Sequence, residues 1–234
     1  MTKRKLPPKV YGGFLRFASQ VMVTVVRREG AAAERGSVSL PESESSGRPL
    51  RADAMRNREL LLSAAAASFA AHGAEVPLED VAREAGVGIG TLYRHFPTRE
   101  SLVEAVYRHE VEVLCQAADQ LGETLPPDRA LEQWMQLFVR HVATKRGMLS
   151  VLKPLLHSNA TFSEQTRGRA IAAADKLLAA GVAAGTVRGD VQGVDLIRAV
   201  GGICMSTDPE QEQASSRLVD LLFDGLRHGA GASA

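Results

Sequence analysis

The stretch from residue 78 to residue 95 constrains the fold more than any other part of the sequence. Its apolar spacing predicts two short helices, at about 78–85 and 89–95, and Gly86 falls between them. A tight turn between crossing helices often needs a positive φ, which glycine adopts without strain. Gly88 suits the position that precedes a helix. The stretch therefore predicts a helix-turn-helix.

The second of these helices is expected to have an apolar side and a polar side. Leu92 and Phe96 lie four residues apart, so both are expected to face the core. Gly90 leaves the helix surface without a side chain, which allows close approach to a DNA backbone or base edge at a cost of about 1 kcal/mol in helix propensity. The outward side carries hydroxyl, aromatic and basic groups of the kind that contact bases and phosphates. These candidates are Thr91, Tyr93, Arg94 and His95.

The chain from about residue 51 onward also shows helical periodicity outside this stretch. No part of it shows strand alternation over a useful length. Thr98 is the expected N-cap of the long helix that follows the helix-turn-helix. We therefore expect an all-α fold, with further helices at about 52–73, 98–121, 128–145, 147–157, 161–184, 193–206 and 210–228.

Residues 1–50 differ in composition and are expected to form a disordered N-terminal extension. Residues 29–50 are rich in glycine, serine, proline and glutamate. The extension carries nine basic and four acidic residues, so one interpretation is a flexible arm that contacts DNA phosphates. The other is an unstructured tail, or an upstream extension that is not made in the cell, because Met22 and Met55 are possible internal starts.

Composition argues against several classes of function. The net charge is +1, and residues 51–110 carry seven basic and nine acidic residues, so any DNA binding must depend on a local site. The cysteines at 115 and 204 lie far apart and the six histidines are not grouped with carboxylates, so no metal site or disulfide is expected. No catalytic constellation or phosphate loop is evident, so we expect neither enzymatic activity nor a cofactor. No apolar run suits a membrane span, and a cytoplasmic location is expected.

Residues 59–107 combine an alanine-rich first helix ending near Phe69 and Gly73 with EDVAREAGV at 79–87, GTLYRHF at 90–96 and TRESL at 98–102. With these features, they strongly resemble the N-terminal DNA-binding domain of the TetR family of transcriptional regulators. The sequence departs from the family pattern at Gly88 and Gly90, where serine and a bulkier polar residue are frequent, and at Pro77, which replaces a usual threonine. The resemblance covers about 50 residues without a gap.

The resemblance implies a dimer whose two recognition helices read a pseudo-palindromic operator, with repression relieved by a small-molecule effector. It implies a helix-turn-helix domain at 51–97, then a linking helix and a helical effector-binding and dimerisation domain at 98–234. Arg99 matches a position usually held by a phosphate-binding lysine. Thr91, Tyr93 and His95 fall on positions that commonly contact DNA. The full predicted DNA-contact set is Gly88, Gly90, Thr91, Tyr93, Arg94, His95, Arg99 and Arg56.

The C-terminal region carries apolar and aromatic stripes that suit an adaptable pocket, although packed core is the other interpretation. The predicted pocket residues are Trp134, Phe138, His141, Met148, Leu152, Phe162, Cys204 and Met205. The last two helices are expected to pair with their two-fold mates in a dimer. The predicted interface residues are Leu196, Val200, Ile203, Leu218, Leu221, Leu222 and Leu226. An alternative function is a helical ligand- or partner-binding protein that does not bind DNA.

Overall fold

The computed structural model describes residues 47–207 and 212–228, and every regular element in these two ranges is an α-helix. The predicted all-α fold is thus confirmed for this part of the chain. Residues 1–46 of the predicted extension lie outside the described residues. Its last four residues, 47–50, are helical, because the first helix begins at Gly47, about five residues earlier than expected. The helices are α1 Gly47–His72, α2 Leu78–Glu84, α3 Ile89–His95, α4 Arg99–Thr124, α5 Pro127–Gly147, α6 Leu149–Ser158, α7 Ala160–Ala183, α8 Gly193–Ser206 and α9 Glu212–Arg227.

The first three helices share one apolar core. Leu61, Ala65 and Phe69 on α1 are fully buried and meet the inner faces of α2 and α3. The turn after α1 needs glycine, since Gly73 has a φ of 81° and donates its backbone N–H to the Phe69 carbonyl oxygen. A side chain is strained in this left-handed region, so Gly73 ends the helix and allows the chain to turn back.

Helix α4 begins immediately after the helix-turn-helix. Thr98 is its N-cap, as predicted: the Thr98 hydroxyl accepts from the Ser101 backbone N–H at 3.1 Å, and the Ser101 hydroxyl accepts from the Thr98 backbone N–H at 3.2 Å. This reciprocal pair satisfies two N–H groups that a helix start otherwise leaves unpaired. The helix continues to Thr124 instead of ending near residue 121, so only two residues separate it from α5.

Helices α5 and α7 pack along α4, and α8 packs against both of them. The indole of Trp134 on α5 is fully buried, and its Nε1–H donates to the Leu114 carbonyl oxygen of α4 at 2.9 Å. Helix α9 lies against α5 and α8. None of the helices within 47–207 and 212–228 is both long and apolar enough to cross a membrane.

The corner between α5 and α6 contacts the end of α1. The Gly147 carbonyl oxygen accepts from the Ala74 backbone N–H at 2.8 Å. Met148 and Leu152, just beyond this corner, are fully buried in the same core as the first three helices. The core of the helix-turn-helix part is therefore continuous with the helices that follow it.

Glu110, on α4, has a carboxyl group whose pKa burial raises to about 7, against the opposing effect of the nearby Arg140. The unfolded chain loses this proton near pH 4.5, so the folded state becomes less favourable as the pH rises from 4.5 to 7. We expect Glu110→Gln to raise the free energy of unfolding by about 2 kcal/mol at pH 8 and to leave it nearly unchanged at pH 4. Thermal melts of both proteins across this range measure the difference. An equal gain at both pH values would show that the carboxylate charge is not the cause.

Candidate nucleic-acid interface

The turn between α2 and α3 has the geometry that the sequence predicts. Gly86 has a φ of 67°, and its backbone N–H donates to the Arg83 carbonyl oxygen at 3.1 Å. The Val87 N–H then donates to the Ala82 carbonyl oxygen at 2.9 Å, which closes the turn. Gly88 is extended, with a φ of −65° and a ψ of 142°, and stands at the N-cap of α3. The predicted helix-turn-helix is therefore confirmed.

Helix α3 is held against the body by its apolar side. Leu92 is fully buried and Phe96 is 3% exposed, as predicted. The Arg58 guanidinium lies over the Phe96 ring at 5.6 Å from its centre, which joins α1 to the end of α3. The buried Ser68 hydroxyl of α1 donates to the Glu84 carboxylate of α2 at 2.7 Å. These contacts hold α2 and α3 against α1.

The other side of α3 is open to solvent. Tyr93 is 45% exposed and Arg94 is also exposed, whereas Thr91 and His95 are half-buried. Ile89 is 37% exposed and one turn before Tyr93, so it belongs to the same outward side. Ile89 was absent from the predicted contact set, although the i, i+4 spacing to Tyr93 is a signal that could have found it. The exposed side of α3 therefore joins apolar, aromatic and basic groups.

Arg99 has a structural contact that the sequence did not reveal. Its Nη1 donates to the Ala74 carbonyl oxygen and, at 2.7 Å, to the Val76 carbonyl oxygen. The side chain is half-buried and pins the loop between α1 and α2 to the start of α4. Arg56, on α1, is by contrast exposed. Part of the Arg99 guanidinium, for which the resemblance implies a phosphate contact, is thus engaged within the chain.

Gly90 is exposed in the first turn of α3, and a Cβ built on it meets no atom within 4 Å. No contact with another described residue therefore requires glycine at this position. We expect Gly90→Ala to raise the free energy of unfolding by up to about 1 kcal/mol, because alanine favours helix. If Gly90 serves close approach to DNA, the same change lowers operator affinity at least about fivefold, as measured by fluorescence anisotropy.

Gly168→Ala is the matched control for this comparison, because Gly168 is an exposed helical glycine on α7 whose Cβ would also meet nothing within 4 Å. It should stabilise the chain to a similar degree and leave operator affinity unchanged. Unchanged affinity in Gly90→Ala as well would remove the close-approach explanation.

The predicted effector-pocket residues divide into three groups. Trp134, Phe138 and His141 are buried on α5 and stack in sequence, with 5.6 Å between the centres of each successive pair of rings. Three others, Met148, Leu152 and Phe162, belong to the apolar core that also contains residues of α1–α3. The remaining two are separate: Cys204 is buried at the end of α8, where its carbonyl oxygen accepts from Arg146, and Met205 is 50% exposed.

The predicted dimer stripe needs correction. Leu196, Val200 and Leu226 are at most 4% exposed within the single chain, so they form its own core and present no surface to a second copy. Leu196 and Val200 lie on α8, which packs against α5 and α7, whereas Leu226 lies on α9, which packs against α5 and α8. Leu218 and Leu221 on α9 are 45% and 68% exposed. The other two predicted residues, Ile203 and Leu222, are half-buried.

Comparison with known proteins identifies both parts of the chain. Residues 61–106 match the family of bacterial regulatory proteins, tetR family, and residues 126–228 match the C-terminal domain of SbtR-like transcriptional regulators. Curated HTH-type transcriptional regulators of Staphylococcus aureus are 34% identical over 65 residues, which is 27% of this chain and 35% of theirs. The chain thus spans about a third of the length of these curated relatives.

Two solved structures are similar over almost their whole length. The TetR transcriptional regulator from Streptomyces coelicolor is 42% identical, with a TM-score of 0.67 over 73% of this chain and 98% of that one. The TetR transcription regulatory protein from Mycobacterium vanbaalenii is 37% identical, with a TM-score of 0.62 over 76% of this chain and 99% of that one. With the helix-turn-helix geometry, these matches show that the chain is a DNA-binding transcriptional regulator and belongs to the TetR family.

Proposed function

We propose that this regulator is a homodimeric repressor in the cytoplasm, which a small-molecule effector releases from its operator. The observation that carries the proposal is the division of α3 into two sides. Leu92 and Phe96 anchor the helix in the core, while Ile89, Tyr93 and Arg94 are exposed on the other side. A rigid helix with such an outward side is suited to reading base edges in the major groove.

The proposed base and phosphate contacts come from α3 and the adjoining helices. Arg94 can donate to guanine acceptors or to a phosphate, and Tyr93 can donate to a phosphate oxygen. Ile89 can contact a thymine methyl group, a role that its exposure on the outward side supports. Gly88 and Gly90 allow the start of the helix to approach the groove. The other proposed contacts are Thr91, His95, Arg56 and the part of Arg99 not used within the chain.

Exposed apolar and small residues on α8 and α9 support dimerisation. Leu218, Leu221 and Gly225 follow one another at i, i+3 and i+7, so they lie along one exposed stripe of α9. On α8, Gly202 and Met205 are also exposed, and a Cβ on Gly202 would meet nothing within 4 Å. Two copies related by a two-fold axis can pair these surfaces as a four-helix interface.

Helix α4 connects the helix-turn-helix to the C-terminal helices, so it can couple effector binding to DNA binding. It begins four residues after α3 ends and runs 26 residues into the C-terminal helices. Recognition helices in a dimer must stand about 34–36 Å apart to reach two successive major grooves. An effector that prefers a different position of α4 would change this spacing and shift the population away from the DNA-binding form.

Operator selection from random duplexes tests the proposal. The full-length protein should enrich an inverted repeat, bind it much more tightly than a scrambled duplex, and repress a reporter placed behind it. A single unpaired half-site would contradict the dimer. Equal affinity for selected and scrambled duplexes would contradict sequence-specific binding, and activation of the reporter would contradict repression.

A further inference from the structure

A continuous row of rings joins three helices inside the C-terminal region. The centres of Trp134 and Phe138 are 5.6 Å apart, and Phe138 stacks in turn on His141 at 5.6 Å. His141 also stacks on Tyr107 of α4 at 5.7 Å, and Tyr107 meets Phe162 of α7 edge to face at 5.8 Å. We refer to these five residues as the ring cluster.

His141 is the member of the ring cluster with a buried polar atom that finds no hydrogen-bond partner in the described part of the chain. It is 5% exposed, and its Nδ1 is buried without a hydrogen-bond partner. Burial, with a smaller contribution from Lys145, lowers the pKa of its ring to about 3, so the ring is neutral at physiological pH. A neutral imidazole has one N–H donor and one acceptor nitrogen. Native proteins rarely leave such a buried group unpaired, so the free Nδ1 is a position for an incoming polar group.

Two cations at the edge of the ring cluster restrict the charge of a ligand. The Lys145 Nζ lies 5.6 Å from the centre of the Tyr107 ring, and the Arg108 guanidinium lies 4.3 Å from the centre of the Phe162 ring. A positively charged ligand would be repelled by both, and a charged group of either sign would give up hydration on entering a ring-lined site. The Trp134 Nε1–H is already bonded to the Leu114 carbonyl oxygen, so among the described residues His141 carries the buried side-chain nitrogen of the cluster that has no partner.

We propose that the ring cluster binds an uncharged, planar, largely apolar ligand whose single hydroxyl or carbonyl group forms a hydrogen bond with Nδ1 of His141. The inference rests on the proposed release by an effector, and it adds the chemical class of that effector. Stacking on the neighbouring rings holds the body of the ligand, and the hydrogen bond fixes its orientation.

The ring cluster is placed to influence the DNA-binding end of the chain. Tyr107 lies on α4, the helix that starts beside α3, and it is 5% exposed. Tyr107 and Phe162 both belong to the apolar core that also contains Leu92 of the recognition helix and Phe69 of α1. A ligand that displaces Tyr107 or Phe162 therefore disturbs a core that is continuous with the helix-turn-helix, because closely packed side chains cannot shift independently.

Three planar aromatic probes test the ligand class in the full-length protein without DNA. 2-Naphthol is uncharged and has a hydroxyl group, naphthalene lacks the polar group, and proflavine is cationic. Trp134 is the single tryptophan of the chain, so calorimetric titrations can be checked by quenching of its fluorescence. We expect 2-naphthol to bind at least about tenfold more tightly than naphthalene, because a tenfold change in affinity corresponds to the free energy of one buried hydrogen bond. Proflavine should bind more weakly than 2-naphthol.

Variants of His141 separate the hydrogen bond from general apolar binding. His141→Phe keeps the ring stacking and should remove the preference for 2-naphthol over naphthalene, while His141→Gln, which keeps a hydrogen-bonding group, should retain part of it. His157→Phe is the matched control, since His157 is exposed on α6 and its Nδ1 already contacts the Lys153 carbonyl oxygen. Each variant should show the wild-type circular dichroism spectrum.

Several outcomes would overturn the inference. These are tightest binding of proflavine, equal binding of naphthalene and 2-naphthol, binding of none of the three probes, or a preference for 2-naphthol that survives in His141→Phe. Because binding is measured without DNA, any of these results leaves the proposed repression standing. Conversely, tight binding of 2-naphthol with no release of operator would support the ligand site and contradict the proposed effector response.

Discussion

Gly147→Ala is expected to lower the free energy of unfolding by at least about 3 kcal/mol, the upper part of the usual range for overpacking. A Cβ on Gly147 would lie 1.9 Å from the Phe69 carbonyl oxygen and 2.7 Å from its carbonyl carbon. Both atoms belong to backbone, so no side-chain rotation can relieve the clash. In a chain of this size the melting temperature should fall by about 6–12 °C, measured by differential scanning calorimetry.

Gly168→Ala is the matched control for this prediction too. It replaces another helical glycine, but its Cβ would meet nothing within 4 Å, so stability should rise by up to about 1 kcal/mol. If the two variants were equally stable, the close contact between the α5–α6 corner and the end of α1 would not exist in solution.

The location of this contact predicts a second consequence of Gly147→Ala. The Gly147 carbonyl oxygen binds the Ala74 N–H, and the Ala74 carbonyl oxygen in turn accepts from Arg99. Ala74, in the loop between α1 and α2, is therefore hydrogen-bonded both to the α5–α6 corner and to Arg99 of α4. A displaced corner should move the helix-turn-helix relative to α4, and operator affinity should fall at temperatures where the variant is still folded.

The helix-turn-helix could be predicted from the sequence because its determinants are local. The positive φ at Gly86, the N-cap at Gly88 and the i, i+4 pair of Leu92 and Phe96 all follow from neighbouring residues. Capping residues and apolar periodicity likewise located most helix ends to within about three residues. The start of α1 at Gly47 was missed because residues 47–51 carry a glycine and a proline and lack an apolar stripe.

The interactions that the sequence did not reveal connect residues that are far apart in the chain. Arg99 lies about 25 positions from the carbonyl oxygens it binds, and no local pattern announces a backbone partner. The sequence could predict that His141 lines a pocket. It could not predict that Nδ1 of His141 lacks a hydrogen-bond partner, because that depends on which side chains surround the ring. Only the packed arrangement of α4, α5 and α7 defines that environment.

The error in the dimer stripe has a general physical cause. An apolar stripe shows that residues share one side of a helix, but it does not show whether a helix of the same chain or of a second copy covers that side. On α8 the stripe of Leu196 and Val200 is covered by the chain itself. On α9, Val219 and Phe223 are covered internally and Leu218 and Leu221 are not. The exposed pair is therefore the part of the prediction that remains available for dimerisation.

Leu221→Arg is expected to convert the proposed dimer to monomers and to lower affinity for a full operator at least about 100-fold. Leu221 is 68% exposed in the single chain, so arginine there disturbs no internal contact, and the melting curve of the monomer should retain its cooperativity. Near a two-fold axis each arginine would face its own mate, and burying two like charges is strongly unfavourable. Loss of bivalent binding then accounts for the fall in affinity, whereas affinity for an isolated half-site should not change.

Leu60→Arg distinguishes loss of the interface from a general effect of replacing an exposed leucine. Leu60 lies on α1 and is 43% exposed, similar to Leu218 at 45%, but it is outside the proposed dimer surface. Analytical ultracentrifugation should show a dimer for Leu60→Arg and a monomer for Leu221→Arg at the same concentration. A dimer in both would place the interface elsewhere, and a Leu221→Arg monomer that still bound the full operator with wild-type affinity would show that DNA recognition does not depend on pairing through α9.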